Sequence, residues 1–124
     1  MISRQHRFHG YGSLRRVYQN GQTLRAPLLS LRYSLNDRRS QYRCAVVVSR
    51  KVNKSAVVRN RIRRRIYEAV RQSESKIAKP FDVVFIIYSD QIAELPNSKL
   101  NKLIKTQLAQ AGIIPASKTS SGVI

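Results

Sequence analysis

Six arginines fall within SAVVRNRIRRRIYEAVR, residues 55–71: Arg59, Arg61, Arg63, Arg64, Arg65 and Arg71. Glu68 is the one acid among them. The chemistry a guanidinium offers is recognition, not bond-making. Its planar fork gives two hydrogen bonds to a phosphate and can stack on a base. Arg50, Lys51 and Lys54 stand just upstream, so nine basic residues share the 22 positions from 50 to 71. One carboxylate cannot balance them through i, i+4 pairs, which disfavours a merely solvated face.

Groups able to make or break bonds are sparse. The six acids are Asp37, Glu68, Glu74, Asp82, Asp90 and Glu94, and none pairs at a spacing such as D-x-D or E-x-x-H. His6 and His9 lie in a polar N-terminal stretch. Cys44 sits in an apolar run, where a small core residue is the expected role. No protein-borne active site and no metal site are predicted.

The charge of the whole chain points the same way. It carries 24 Lys and Arg against 6 Asp and Glu, a formal +18 over 124 residues. Such an imbalance self-repels when compact and calls for RNA, DNA or an anionic surface as partner. The 42% hydrophobic content supports a folded core, and the length supports one domain. The opening MISRQHRFHGYG lacks the apolar segment of a secretory signal, and the longest apolar run, VVFIIY, is strand length. One cysteine excludes an internal disulfide. The cytosol is the expected compartment, with no membrane contact and no protein partner.

The elements that must hold these residues follow from periodicity. Residues 1–11 read as a basic arm. SLRRVYQN (13–20) reads as a short helix, with Leu14, Val17 and Tyr18 on one face and Gly21 as its stop. LLSLRYSL (28–35) alternates as a half-buried strand, and YRCAVVVS (42–49) reads as a strand buried on both faces. RKVNKSA is a basic loop in which Asn53 suits a positive φ. A helix runs from Ala56 to Ser73, capped by Ser55. FDVVFIIY (81–88) is a third strand, and Leu100, Leu103, Ile104 and Leu108 mark a last helix ending at Gly112. The single domain spans 1–113, and 114–124 form a Ser-rich flexible tail. The order α-β-β-α-β-α predicts an α+β two-layer sandwich with the helices on one side. Its strands 42–49 and 81–88 are parallel neighbours joined across the arginine helix.

On that helix, Ile62, Ile66, Ala69 and Val70 form a core stripe. Asn60, Arg61, Arg64, Arg65 and Arg71 point away from it, and Arg59 and Arg63 sit at its border. Residue types alone favour RNA over DNA only weakly, yet no helix-turn-helix or zinc pattern supports a duplex-DNA reader. A membrane-surface helix is disfavoured, because the apolar stripe lacks Trp, Phe and Leu.

VSRKVNKSAVVRNRIRRRIYEAVR resembles the signature of the bacterial ribonuclease P protein component: a strand ending V-S-K/R-K-V-G, then A-V-x-R-N-R-x-K/R-R. Val48, Ser49, Arg50, Lys51 and Val52 match the first half. Ala56, Val57, Arg59, Asn60, Arg61 and Arg63 or Arg64 match the second. The likeness extends to Leu14, Val17 and Gly21 at the end of the first helix and to Phe81, Asp82, Val83 and Val84, covering roughly residues 4–113. Three positions depart from the pattern: Asn53 and Ala45 replace glycines, and Leu14 replaces an aromatic, with Tyr18 one turn later.

The resemblance implies the small subunit of a ribonucleoprotein that removes the 5′ leader of precursor tRNA. Its RNA subunit is the catalyst and uses Mg²⁺, and the protein needs no cofactor of its own. The implied fold is ribosomal S5 domain 2-like, with a left-handed β-α-β crossover around the arginine helix. The implied RNA-subunit contacts are Arg50, Lys51, Lys54, Arg59, Asn60, Arg61, Arg63, Arg64, Arg65 and Arg71. The implied leader cleft lies between the first helix and the sheet. A single strand needs aromatic platforms and a basic groove. Phe8, Leu14, Tyr18 and Tyr33 are candidates for the first, with Tyr11 beside them. Arg15, Arg32 and Arg43 are candidates for the second, with Arg16 and Arg50. Tyr67, Tyr88, Phe81 and Phe85 are expected to pack in or beside the core. The alternative is a structural, ribosomal-type RNA-binding protein with no part in cleavage.

Overall fold

In the computed structural model, His6 and residues 11–115 are described, the side chains of residues 11–14 and 16 excepted. The chain runs α1 (Tyr11–Asn20), β1 (Gln22–Arg25), β2 (Leu29–Leu35), β3 (Arg43–Val47), α2 (Ala56–Gln72), β4 (Phe81–Ile87) and α3 (Asn97–Gln110). Short 3-10 turns at Glu74–Lys76 and Asp90–Ala93 precede β4 and α3. The strands form one mixed sheet in the order β1-β2-β4-β3. β1 and β4 run antiparallel to β2, and β3 lies parallel to β4, with Val46 opposite Phe85. The arginine helix therefore does join two parallel neighbours, as the two apolar strands implied.

The sequence predicts three strands, and four are present among the described residues. β1 is QTLR, four residues with only Leu24 partly buried, too short to show alternation. The helices also do not share one side. Alternation sends Leu29 and Leu31 to one face of β2 and Arg32 to the other. Arg32 reaches the carbonyls of Val17 and Gly21 at the end of α1. Val17 and Val84 are fully buried but stand apart from the main core cluster. So α1 lies on the face opposite α2 and α3.

The main core forms where α2 and α3 meet the other face. Ile62, Ile66, Ala69 and Val70 are buried against Cys44, Val46, Phe85, Leu100, Ile104 and Leu108. Each fully buried aliphatic chain of this kind contributes about 1.5–3 kcal/mol. Ser55 caps α2, its Oγ accepting from Val58 N at 3.3 Å. Asn53 does not adopt the positive φ expected of it, as no described non-glycine residue does. It shapes the loop through its side chain instead: Oδ1 accepts from Ser55 N, and Nδ2 donates to Asp90.

α3 ends in a Schellman turn. Gly112 has φ +76°, its N–H bonds Ala109 O, and Ile113 N–H bonds Leu108 O. Ile113 and Ile114 are buried beyond it. The folded region thus extends to Ile114, one residue past the 1–113 that the sequence predicts. The arm at 1–11, apart from His6 and Tyr11, and residues 116–124 lie outside the described residues.

Candidate nucleic-acid interface

The β3–α2 loop and the outer side of α2 form one basic surface. Arg50, Lys51, Lys54, Asn60, Arg61, Arg64 and Arg71 are exposed, while Arg59, Arg63 and Arg65 are half-buried. The side chains are not equally available. Arg64 has no hydrogen-bond or ion-pair partner among the described residues. Arg59 holds the loop, donating to Asn53 O and Lys54 O. Arg61 Nε donates to Ala93 O at 3.0 Å, leaving its two terminal nitrogens for a partner. Arg63 bridges Asn60 Oδ1 and Val48 O.

Arg65 departs from the outward-pointing reading. It donates to Ile92 O, Leu95 O and Asn97 Oδ1, so it ties α2 to the segment leading into α3. That segment folds back over α2, which helical periodicity cannot reveal. Arg71 pairs with Glu68, and the guanidinium holds that carboxyl below the usual carboxylate range. Val57, 74% exposed, and Tyr67 line a shallow groove with Asn60, Arg63 and Arg64.

A second candidate surface lies on the α1 face of the sheet. Tyr18 is exposed, with the Arg32 guanidinium carbon 5.9 Å from its ring centre, within cation–π range. Burial raises the Tyr18 phenol above its usual pKa, against the opposing pull of Arg32. Arg32 also donates to Thr23 Oγ1 and to carbonyls at the α1 C-terminus, where a cation complements the helix dipole. It anchors the helix that carries Tyr18. Tyr33 does not join this face: alternation sets it with Leu29 and Leu31 on the other side of β2, opposite Val83 and against the main core. It is half-buried there, its hydroxyl donating to Gln22 Oε1 in an open cleft shared with Asn20, Leu35 and Phe81. Arg15 is exposed; Phe8 and the side chains of Leu14, Tyr11 and Arg16 lie outside the described residues. Ala45, Val47 and Ile86 are half-exposed on this face, Val47 directly opposite Ile86. This apolar floor was not picked out from the sequence, where YRCAVVVS reads as wholly buried.

Arg43 corrects the sequence reading. It is 6% exposed, and its Nε and Nη2 donate to Asp82 Oδ1 and Oδ2 at 2.9 and 2.8 Å. A bidentate pair holding Asp82, itself 1% exposed, fixes β3 to β4 and cannot turn to a leader phosphate. Of the four aromatics expected to pack, Phe85 is buried, Phe81 and Tyr67 are half-buried, and Tyr88 is exposed with its hydroxyl on Ser30 Oγ. Cys44 is buried, and burial pushes its thiol pKa up, which removes the thiolate a nucleophile needs.

Comparison with known proteins adds a further line. A family model described as Ribonuclease P matches residues 2–112. The ribonuclease P protein component of Roseiflexus castenholzii is 38% identical over 113 residues, 91% of this chain and 91% of that one. Its counterpart in Chloroflexus aurantiacus is 39% identical over 115 residues, 93% of this chain and 84% of that one. Among solved structures, the RNase P protein of Staphylococcus aureus gives a TM-score of 0.77 at 21% identity, covering 88% of this chain and 97% of that one. The Thermotoga maritima protein gives 0.73 at 21%, covering 84% and 96%. At that identity the structures speak to the shared fold.

Proposed function

The chain belongs to the bacterial ribonuclease P protein family, and from that premise we propose that it is the protein subunit that assists 5′ maturation of tRNA. The α2 face and its preceding loop bind the catalytic RNA. The α1 face of the sheet holds the single-stranded leader of precursor tRNA. The observation that carries the reading is the α2 surface: exposed Arg50, Lys51, Lys54, Arg61 and Arg64 in one patch, with Glu68 already committed to Arg71. Such a patch neutralises phosphates where two RNAs are brought together.

Cleavage chemistry is assigned to the RNA subunit and its Mg²⁺. On the protein, no three His, Cys, Asp or Glu among the described residues come together as metal ligands. What the protein supplies is positive charge and a leader platform, with Tyr18 and the floor of Ala45, Val47 and Ile86 on the same face of the sheet. No helix among the described residues is long and apolar enough to cross a membrane, and the cytoplasm is the proposed location.

The test is reconstitution with a bacterial ribonuclease P RNA and precursor tRNA at Mg²⁺ concentrations where the RNA alone is slow. Restored release of the 5′ leader at the mature end is expected. Binding without any gain in cleavage, across several RNA subunits, would put the structural RNA-binding reading in its place.

A further inference from the structure

α2 and α3 lie side by side and run the same way, since successive residues of one meet successive residues of the other. Arg61 reaches Ala93 O, and Arg65 reaches Leu95 O and Asn97 Oδ1. Farther along, Glu68 and Gln72 share a groove with Leu100 and Asn101. Arg64 stands on the α2 wall of that groove and Asn101 on the α3 wall. Beyond Asn101 come Lys99, Lys102 and Lys105, all exposed. On the helical wheel Lys105 stands about 40° from Asn101, Lys102 about 100° and Lys99 about 160°. Each lysine is about 4.5 Å along the axis from the next. They form an oblique track that leads out of the groove and over the outer side of α3.

Two further features separate this track from an ordinary solvated face. α3, NSKLNKLIKTQLAQ, contains no acid, so no i, i+4 carboxylate compensates the lysines. None of the three has a hydrogen bond or ion pair among the described residues. The groove's one carboxylate, Glu68, is held by Arg71. The exposed neighbours Ser98, Thr106 and Gln110 are polar. The track therefore offers no apolar anchor to a membrane or a protein hot spot, and only point charges and hydrogen bonds to a sugar–phosphate backbone.

We propose that Lys99, Lys102 and Lys105 are a second phosphate-binding surface, over which the RNA held by α2 continues across the α2–α3 groove. This rests on the RNA-subunit reading above and extends it to a helix outside the arginine motif. Contacts of this kind carry affinity, not sequence preference.

The test uses the full-length protein and ribonuclease P RNA, with binding measured across monovalent salt. Three proteins are compared with the unmodified chain: the triple variant Lys99→Ala/Lys102→Ala/Lys105→Ala, the single variant Arg64→Ala, and a control of equal charge loss, Arg38→Ala/Lys76→Ala/Lys79→Ala. The control residues are exposed and lie outside both α2 and α3. Exposed Lys-to-Ala changes keep a helix intact, and circular dichroism checks each variant. The α3 triple is expected to lower the slope of log K against log salt by about 2–3, at about 0.7–0.9 per lost phosphate contact. The control should lower it by less than one. Equal losses in both triples would reduce the effect to net charge and overturn the proposal. An unchanged α3 triple beside a weakened Arg64→Ala would overturn it too, leaving the subunit assignment standing. If neither the triple nor Arg64→Ala moves binding, the assignment of RNA contact to α2 falls with it.

Discussion

Arg43→Met separates a structural from a leader-binding role for Arg43. The side chain is 7% exposed and the Asp82 carboxylate 1%, so truncating the guanidinium strands a buried negative charge. Asn36 Nδ2, 3.0 Å from Oδ2, is a neutral donor and cannot replace two charge-assisted bonds. Breaking a buried pair from one side costs about 3–5 kcal/mol, a large share of the roughly 5–15 kcal/mol that holds a domain together. With a urea dependence of about 1–3 kcal/mol per M, the unfolding midpoint should fall by about 1–5 M. The double variant Arg43→Met/Asp82→Leu removes both charges and should recover most of that loss, because an apolar replacement of a buried pair is often neutral. Leader affinity, measured well below the unfolding transition as the preference for precursor over mature tRNA, should hold in both. A variant with an unchanged midpoint and a lost leader preference would refute the reasoning and return Arg43 to the leader cleft.

Other changes test neighbouring features. Arg64→Ala should lower the salt slope of RNA binding by about one unit without touching stability, whereas Arg65→Ala should cost about 1–2 kcal/mol in urea unfolding, since three oxygens lose a charged donor. Gly21→Ala should destabilise by about 1–3 kcal/mol, because a Cβ there would stand 2.4 Å from Val17 O and 3.0 Å from Tyr33 O; thermal unfolding reads the shift. Alkaline pH should weaken the fold. An unfolded Cys44 thiol titrates near 9.0, while the buried one keeps its proton above that. The native state then binds more protons than the unfolded state, and stability falls as pH rises past 9, by up to about 1.4 kcal/mol per pH unit. Tyr42, raised by burial and by its bond to Glu74, adds its own loss above 10. Urea midpoints at pH 7, 9 and 10 should show Cys44→Ala losing only the part that begins near 9.

Much of this architecture was written in local pattern. The apolar runs around 42–49 and 81–88 identified the two parallel strands, and the Ile62, Ile66, Ala69, Val70 spacing placed α2 to within a residue at its end. What escaped was decided by contacts distant in sequence. The Leu14, Val17, Tyr18 stripe said that α1 buries one side, but not on which face of the sheet. Arg43 was visible as a charge inside a strand read as buried on both faces, a position that demands a carboxylate. The parallel register supplies one by setting Arg43 opposite Asp82. Arg65 escapes a helical-wheel reading because residues 92–97 return to α2, a path no periodicity encodes. Asn53 has the residue type of a positive-φ turn position, yet it acts through its side chain.

The position of β3 carries a cost of another kind. Among the described residues it pairs with β4 on one side only, which leaves RCAVV at the margin of the sheet they form. Such a strand, rich in β-branched residues, is a template for a second copy. Its ends are partly occupied: His6 stacks on Tyr42 with Nδ1 3.0 Å from Tyr42 O, and Arg63 reaches Val48 O. Between them, mutual repulsion at +18 opposes the pairing of two copies. That repulsion has a range of about 10 Å at 0.1 M salt and about 3 Å at 1 M. Salt high enough to strip RNA from the protein therefore also removes its defence against self-association. Light scattering of the RNA-free protein should rise with ionic strength, and sooner when His6 is replaced by alanine. A flat signal for both would mean that the margin is guarded by something other than charge.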